Sequence, residues 1–251
     1  MKTAAVVWIL ALFDSSPLLA GPAAPVLREE RKVLVGGAEE TWRLEWRAKS
    51  SPVCGPQSDD LVEWTTCPCS GFEFGESGEL DLVRARPGAP EERLPLDPFF
   101  ADGETPGPGA VLPRWPVRKG DEDAAENEGF AAAVRKRPVV PILKLADYDR
   151  DGQATEFVLQ VSAGPCGHRP SILVGLDSRT KRLRAFASVE DPKSPLVLER
   201  TSDWEKVRKA SGKVSLVQYG CGDHGTEQEE TVTVWTDAQG LHARRSTKAC
   251  P

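Results

Sequence analysis

Histidine is scarce, with three in 251 residues. None of the short motifs of common nucleophilic or metal-dependent enzymes occurs, neither G-x-S-x-G, nor H-E-x-x-H, nor a P-loop. Hydrolases built on those motifs are thereby excluded, whereas a site assembled from loop residues is not. Positive charge is not in excess either: 32 Lys and Arg against 38 Asp and Glu give a net charge of −6. Without a basic surplus to release counterions from phosphates, nucleic-acid binding has no support. No apolar run approaches the roughly 20 residues that span a bilayer, which argues against a membrane protein. No segment recurs, so a repeat architecture is not supported. Long helices are disfavoured by 22 Gly and 21 Pro, which favour turns and short strands.

What is present begins with a leader. Lys2 supplies a positive end, Ala4–Phe13 a short apolar run, and Gly21-Pro22-Ala23-Ala24 small residues for cleavage, the parts of a secretory signal. Cleavage is expected after Ala23, with Ala20 as second choice; it removes one charge of each sign, Lys2 and Asp14, and no cysteine stands there for a lipid anchor. The mature chain keeps Cys54, Cys67, Cys69, Cys166, Cys221 and Cys250, and an even count in an exported chain points to disulfides. Cys67 and Cys69 are too close to prefer each other and are expected to reach different partners. Cys221 with Cys250 would tie the last strands together, and the remaining pairings stay open. A zinc site competes, because Cys67-Pro68-Cys69, Cys166-Gly167-His168 and Cys221-Gly222-Asp223-His224 set soft ligands in tight turns. These spacings match no common zinc motif, and an oxidising compartment favours bridges. The expected location is outside the cytoplasm, secreted or periplasmic.

The pattern along the chain is mainly β, with antiparallel sheets in a sandwich, barrel or partial propeller and one or two short helices. Arg31–Val35 and Thr41–Arg47 flank Gly36-Gly37, and Trp42, Leu44 and Trp46 alternate with charged residues, which predicts a hairpin with its tryptophans inward. A second hairpin is expected from Gly71–Phe74 and Glu79–Val83, turning through Gly75-Glu76-Ser77-Gly78. Residues 24–85 thus form N-terminal hairpins. Residues 86–129, rich in Pro, Gly and acidic residues, read as a long surface loop or linker. Within 130–251, a short helix is expected over Phe130–Arg137. Strands are expected at Val140–Leu145, Thr155–Val161, Ser171–Leu176, Arg182–Ala187, Pro195–Glu199, Val214–Tyr219, Thr231–Thr236 and Leu241–Arg245. A further helix is expected with Ser202 as N-cap and Glu205 completing a capping box. This region is expected to pack with 24–85 as one domain.

The sharpest chemical feature is the run from Leu145 to Phe157, which contains Asp147, Asp149, Asp151 and Gly152 in the order D-x-D-x-D-G. Alternate carboxylates in a tight loop converge on one point and repel one another unless a hard cation holds them, and all-oxygen ligation favours calcium. Gly152 permits the turn that lets Gln153 offer its backbone carbonyl. The run matches the front half of an EF-hand loop, but its twelfth position is Val158 rather than glutamate and strand-like flanks replace the helices. Strand, acidic loop, strand and a hairpin through Leu176–Leu183 together resemble one blade of the FG-GAP or VCBS repeats of integrin-like β-propellers, over about Val139–Phe186. That resemblance implies a calcium-stabilised hairpin without catalysis. The family's usual ninth-position carboxylate is here Thr155, and Glu156 at the tenth stands in for it. The ligand set so implied is Asp147, Asp149, Asp151, Gln153 and Glu156.

Two functions fit. One is a non-catalytic exported β protein with a structural calcium loop, binding a protein or glycan partner or forming part of an envelope or extracellular assembly. The other is a secreted hydrolase with a site around Asp223 and His224, which sit beside Cys221 in a glycine-rich turn.

Overall fold

The computed structural model describes residues 24–55, 67–100 and 106–251, except for the side chains of Cys166 and His224. The leader expected at 1–23 lies outside these residues. The protein is mainly β, built from antiparallel sheets with short helices.

Strands β1 (Val26–Val35) and β2 (Ala38–Trp46) form the expected hairpin about Gly36 and Gly37, both at positive φ. Trp42, Leu44 and Trp46 point inward and are buried. β2 then pairs with β5 (Leu80–Ala85), and β5 with β6 (Glu92–Pro95), giving the order β1-β2-β5-β6. A second sheet has the order β3-β4-β7, from Ser51–Val53, Gly75–Gly78 and Ala110–Pro113.

That second sheet corrects two expectations. The four residues expected to turn, Gly75–Gly78, are themselves the central strand β4, and the turn lies earlier, at residues 71–74. Gly75 packs its backbone so closely on the Phe72 carbonyl that any Cβ would collide with it, which is why glycine stands in a buried strand. Glu76 stays in that strand because Arg28 meets it at 2.5 Å and Arg114 also reaches it. The segment 86–129 is likewise not a plain loop. It supplies the edge strands β6 and β7, a 3-10 turn at Asp97–Phe100 that buries Phe100, and the short helix α1 (Asp121–Ala124). Arg137 grips Asp121 through two hydrogen bonds of 2.6 and 2.7 Å, fastening α1 to helix α2 (Phe130–Val134).

The middle sheet explains the shape of the core. Its order is β10-β9-β8, from Arg182–Ala185, Ser171–Asp177 and Glu156–Gln160. Every residue of β9 is buried, because the sheet is covered on both faces. Phe157, Leu159, Ile172, Val174 and Leu176 pack with Trp42 and Trp46. Leu173 and Phe186 join Trp204 and Val207 of helix α3 (Thr201–Lys209) and Leu216, Val232 and Val234 of the last sheet. That sheet is the meander β11 (Val214–Tyr219), β12 (Gln228–Asp237) and β13 (Gly240–Ala249). Covering both faces requires a continuous apolar strand at the centre, and Ser-Ile-Leu-Val-Gly-Leu supplies it.

Three local expectations fail. Val140–Leu145 runs extended but forms no ladder, since Glu29 Oε2 accepts the Ile142 and Leu143 amides at 2.7 and 3.3 Å. Pro195–Glu199 makes only isolated bridges, Pro195 to Ala187 and Leu198 to Ser171. Helix α3 has Arg200 as its N-cap with no side-chain cap, so the Ser202 capping box does not form. Glu205 is taken instead by Tyr148 Oη and Arg208, each at 2.8 Å.

Among the described residues no helix is long and apolar enough to cross a membrane. Bridges join Cys54 to Cys69 and Cys221 to Cys250, the latter tying the end of β11 to the end of β13. They suit an oxidising, exported environment. Cys67 is exposed on the 67–71 turn, and the Cys166 side chain is outside the described set.

A candidate metal centre and a buried histidine

The acidic loop is closed at its neck by a two-way bridge, Ala146 N to Glu156 O at 2.8 Å and Glu156 N to Ala146 O at 3.2 Å. Within it, each aspartate folds the chain by accepting a nearby amide: Gly152 N on Asp147, Asp151 N on Asp149, and Gln153 N on Asp151. These bonds, Asx turns at Asp149 and Asp151 and a longer closure at Asp147, bring one carboxylate oxygen from each of the three within 4.8 Å of one another. Oxygens on opposite sides of a calcium ion, each about 2.4 Å from it, stand at nearly that separation. Gly152 has φ +87° with open space around it, so its conformation rather than crowding calls for glycine.

Nothing in the loop neutralises the trio. Arg150, its one basic residue, turns away and donates to the Val207 and Ala210 carbonyls at the end of α3. Arg184, on the adjoining hairpin, is paired with Asp177 at 2.9 Å. Asp147 Oδ1 is buried without a hydrogen-bond partner. Burial, reinforced by Asp151, Asp147 and Asp177, raises the Asp149 carboxyl to about 6. A divalent cation would relieve that repulsion, so the residues present fit one.

Gln153 and Glu156 sit differently from the three aspartates. The Gln153 side chain accepts the Gly36 amide at 2.7 Å, anchoring the loop to the β1–β2 turn. Glu156 is fully buried outside the trio, with Oε2 accepting the Tyr148 amide at 2.9 Å and Oε1 accepting the Thr155 hydroxyl at 2.5 Å. Burial, then Asp149 and Asp151, push it up to about 8. The outer wall of the loop opens on a cleft of about 710 Å³ that also holds Asp177, Arg184, Ser188 and Asp237.

Asp223 is paired with a histidine distant in sequence, while the side chain of His224, its expected companion, lies outside the described residues. His168, 2% exposed, donates from Nε2 to Asp223 Oδ2 at 2.9 Å, and its Nδ1 lies 3.5 Å from Glu199 Oε2. Its ring stacks on Tyr219 at 4.6 Å, and Glu199 holds the Tyr219 hydroxyl, which with burial raises that phenol. His168 and Asp223 are far apart in sequence. Their one shared signal is that each follows a Cys-Gly pair in a tight turn. Glu199 and Tyr219 carried no signal at all, yet both line a cleft of about 440 Å³ with Phe99 and Phe100. The competing zinc arrangement is undercut where Cys69 and Cys221 are spent in bridges.

The chain matches no known family model, no curated protein and no solved structure.

Proposed function

We propose that this is an exported, non-catalytic β protein whose acidic loop holds a structural calcium ion, serving as a binding or extracellular structural module. The observation that carries the reading is the convergence of three uncompensated carboxylates at Asp147, Asp149 and Asp151 while the loop's only arginine points elsewhere. Calcium rather than zinc follows from an all-oxygen donor set, with Gln153 offering its carbonyl and Glu156, outside the converging trio, completing the ligands. The loop joins the β1–β2 turn, β8 and α3, so the ion would staple the layers together. This keeps the likeness to an FG-GAP or VCBS hairpin, although the chain before the loop supplies a single bridge rather than a strand. The leader at 1–23 completes the reading as the route of export, and a protein or glycan is the expected class of partner.

Calcium at tenfold excess over its dissociation constant would add about 1.4 kcal/mol. The test is a thermal melt with calcium and with chelator, in wild type and in Asp149→Ala. The melting temperature should rise with calcium in wild type alone; superimposable wild-type melts would refute the ion.

One observation favours a second reading, a secreted hydrolase. Asp223, with His168, Glu199 and Tyr219, forms a connected set whose outer members face a cleft. Its catalytic groups would be Glu199 and Tyr219, with Asp223 and His168 behind them. Hydrolysis of any substrate in a broad panel, lost in Glu199→Gln and kept in His224→Ala, would establish it.

A further inference from the structure

Strand β8 is an edge strand, and its hydrogen bonding shows which residues are left open. In an antiparallel pair the N–H and C=O of one residue point to the same side, and successive residues alternate. Thr155 accepts from Leu176 and Val161 donates to Pro170, so the odd-numbered residues face β9. Glu156 faces outward and is paired with Ala146. Val158 and Gln160 face outward too, and their main-chain groups meet no other strand among the described residues.

The reason is visible upstream. After the bridge at Ala146 the preceding chain does not continue along β8, because the Val140 amide goes to the Arg114 carbonyl at 2.9 Å and those of Ile142 and Leu143 go to Glu29. The two segments splay apart, leaving a groove of about 650 Å³ between β8, the 140–146 segment and α3. Its lining is largely apolar, with Pro113, Ile142, Leu145 and Val158 prominent. Its charge is unbalanced. Glu205 on the α3 wall is already held by Arg208 and the Tyr148 hydroxyl, whereas Lys144, exposed on the rim, has no carboxylate partner among the described residues.

We propose that this groove is a docking site for a short extended peptide carrying an acidic residue, which adds to the open edge of β8. Main-chain groups of Val158 and Gln160 bind the peptide backbone, alternate apolar side chains fill the groove, and a carboxylate reaches Lys144. The inference is independent of the calcium reading, since none of these groups belongs to the acidic trio.

The test is selection of displayed random heptapeptides on the full chain, followed by synthesis of the enriched sequence. The expected sequence alternates apolar residues and carries Asp or Glu. Its binding should slow amide exchange at Val158 and Gln160, and weaken about tenfold or more in Lys144→Glu and when alternate peptide nitrogens are methylated. Val158→Pro should weaken it as well, because that amide makes no contact with β9; if that variant does not fold, Lys144→Glu and the methylated peptides decide alone. Absence of enrichment would overturn the proposal, as would affinity indifferent to N-methylation or to Lys144→Glu. Protection of the same two amides by self-association without peptide would overturn it in favour of a second copy.

Discussion

In the N-terminal sheets each described buried carboxylate faces an arginine, whereas the acidic loop holds three half-buried aspartates facing one another. Glu76 meets Arg28 and Arg114, Asp81 meets Arg47, and Glu92 meets Arg182. Burial pushes the Glu40 carboxyl up, but the hydrogen bonds from Arg84 and Trp42 bring it down below its ordinary value. For Asp149 and Glu156 the same burial is opposed by no cation, and both rise. Composition is not the cause, since arginine is available to the loop in Arg150 and is directed at helix carbonyls instead. The contrast teaches that the molecule has a general device for burying acid and withholds it at one place.

The sharpest way to break that contrast is to remove an arginine from the first region. Arg84 reaches Glu40 at 2.5 and 2.7 Å, with all partners buried. Arg84→Met leaves Glu40 stranded and should cost about 3–5 kcal/mol, read as a lower urea midpoint. The double variant Arg84→Met with Glu40→Met should recover most of the loss, because an apolar pair of similar volume replaces the ion pair. If the single variant melts like wild type, arginine matching is not what holds these acids in place.

A smaller effect, of either sign, is expected at the loop. Asp149→Asn keeps an oxygen to accept the Asp151 amide but removes one of the mutually repelling charges. Without metal the variant should therefore melt slightly above wild type, and with calcium below it, since wild type alone gains about 1.4 kcal/mol at tenfold excess. Differential scanning calorimetry with calcium and with chelator reads both signs. A variant below wild type in both conditions would mean that the aspartates serve only as turn formers.

Local patterns predicted the elements they control. The alternation at Trp42, Leu44 and Trp46 showed the first hairpin, the uninterrupted apolar run showed a strand near Ser171–Leu176, and D-x-D-x-D-G showed where acid would converge. What escaped was decided by distant residues. Gly75–Gly78 has the composition of a turn and becomes a strand because Arg28 and Arg114 claim Glu76. The Ser202 and Glu205 spacing suits a capping box, but Tyr148 and Arg208 draw Glu205 away. Val140–Leu145 has strand chemistry and loses its ladder to Glu29. His168 and Asp223 meet only after the middle sheet and the meander have packed, and no spacing in the chain encodes that.

Between the two regimes stands His242, a counter-ion whose charge depends on pH. Its Nδ1 lies 2.8 Å from Glu190 Oε1 and its Nε2 lies 2.9 Å from Asp237 Oδ1. An imidazole donates from both nitrogens only when protonated. The hydrogen bond to Glu190, then that to Asp237 and the charges of both, outweigh burial and raise its pKa above the ordinary value. The protonated form is therefore favoured by folding. Its contribution is complete below the unfolded value of about 6.5 and disappears as pH rises through the folded one. The effect should be the smallest of the three, because Glu190 and Asp237 are 43% and 41% exposed and the attraction is screened. NMR titration of the ring should give a midpoint above that of an unfolded peptide. His242→Gln should flatten the stability profile over the same interval. A midpoint at or below the peptide value would place His242 with the uncompensated groups, and its contacts with Glu190 and Asp237 would then add no pH-dependent stability.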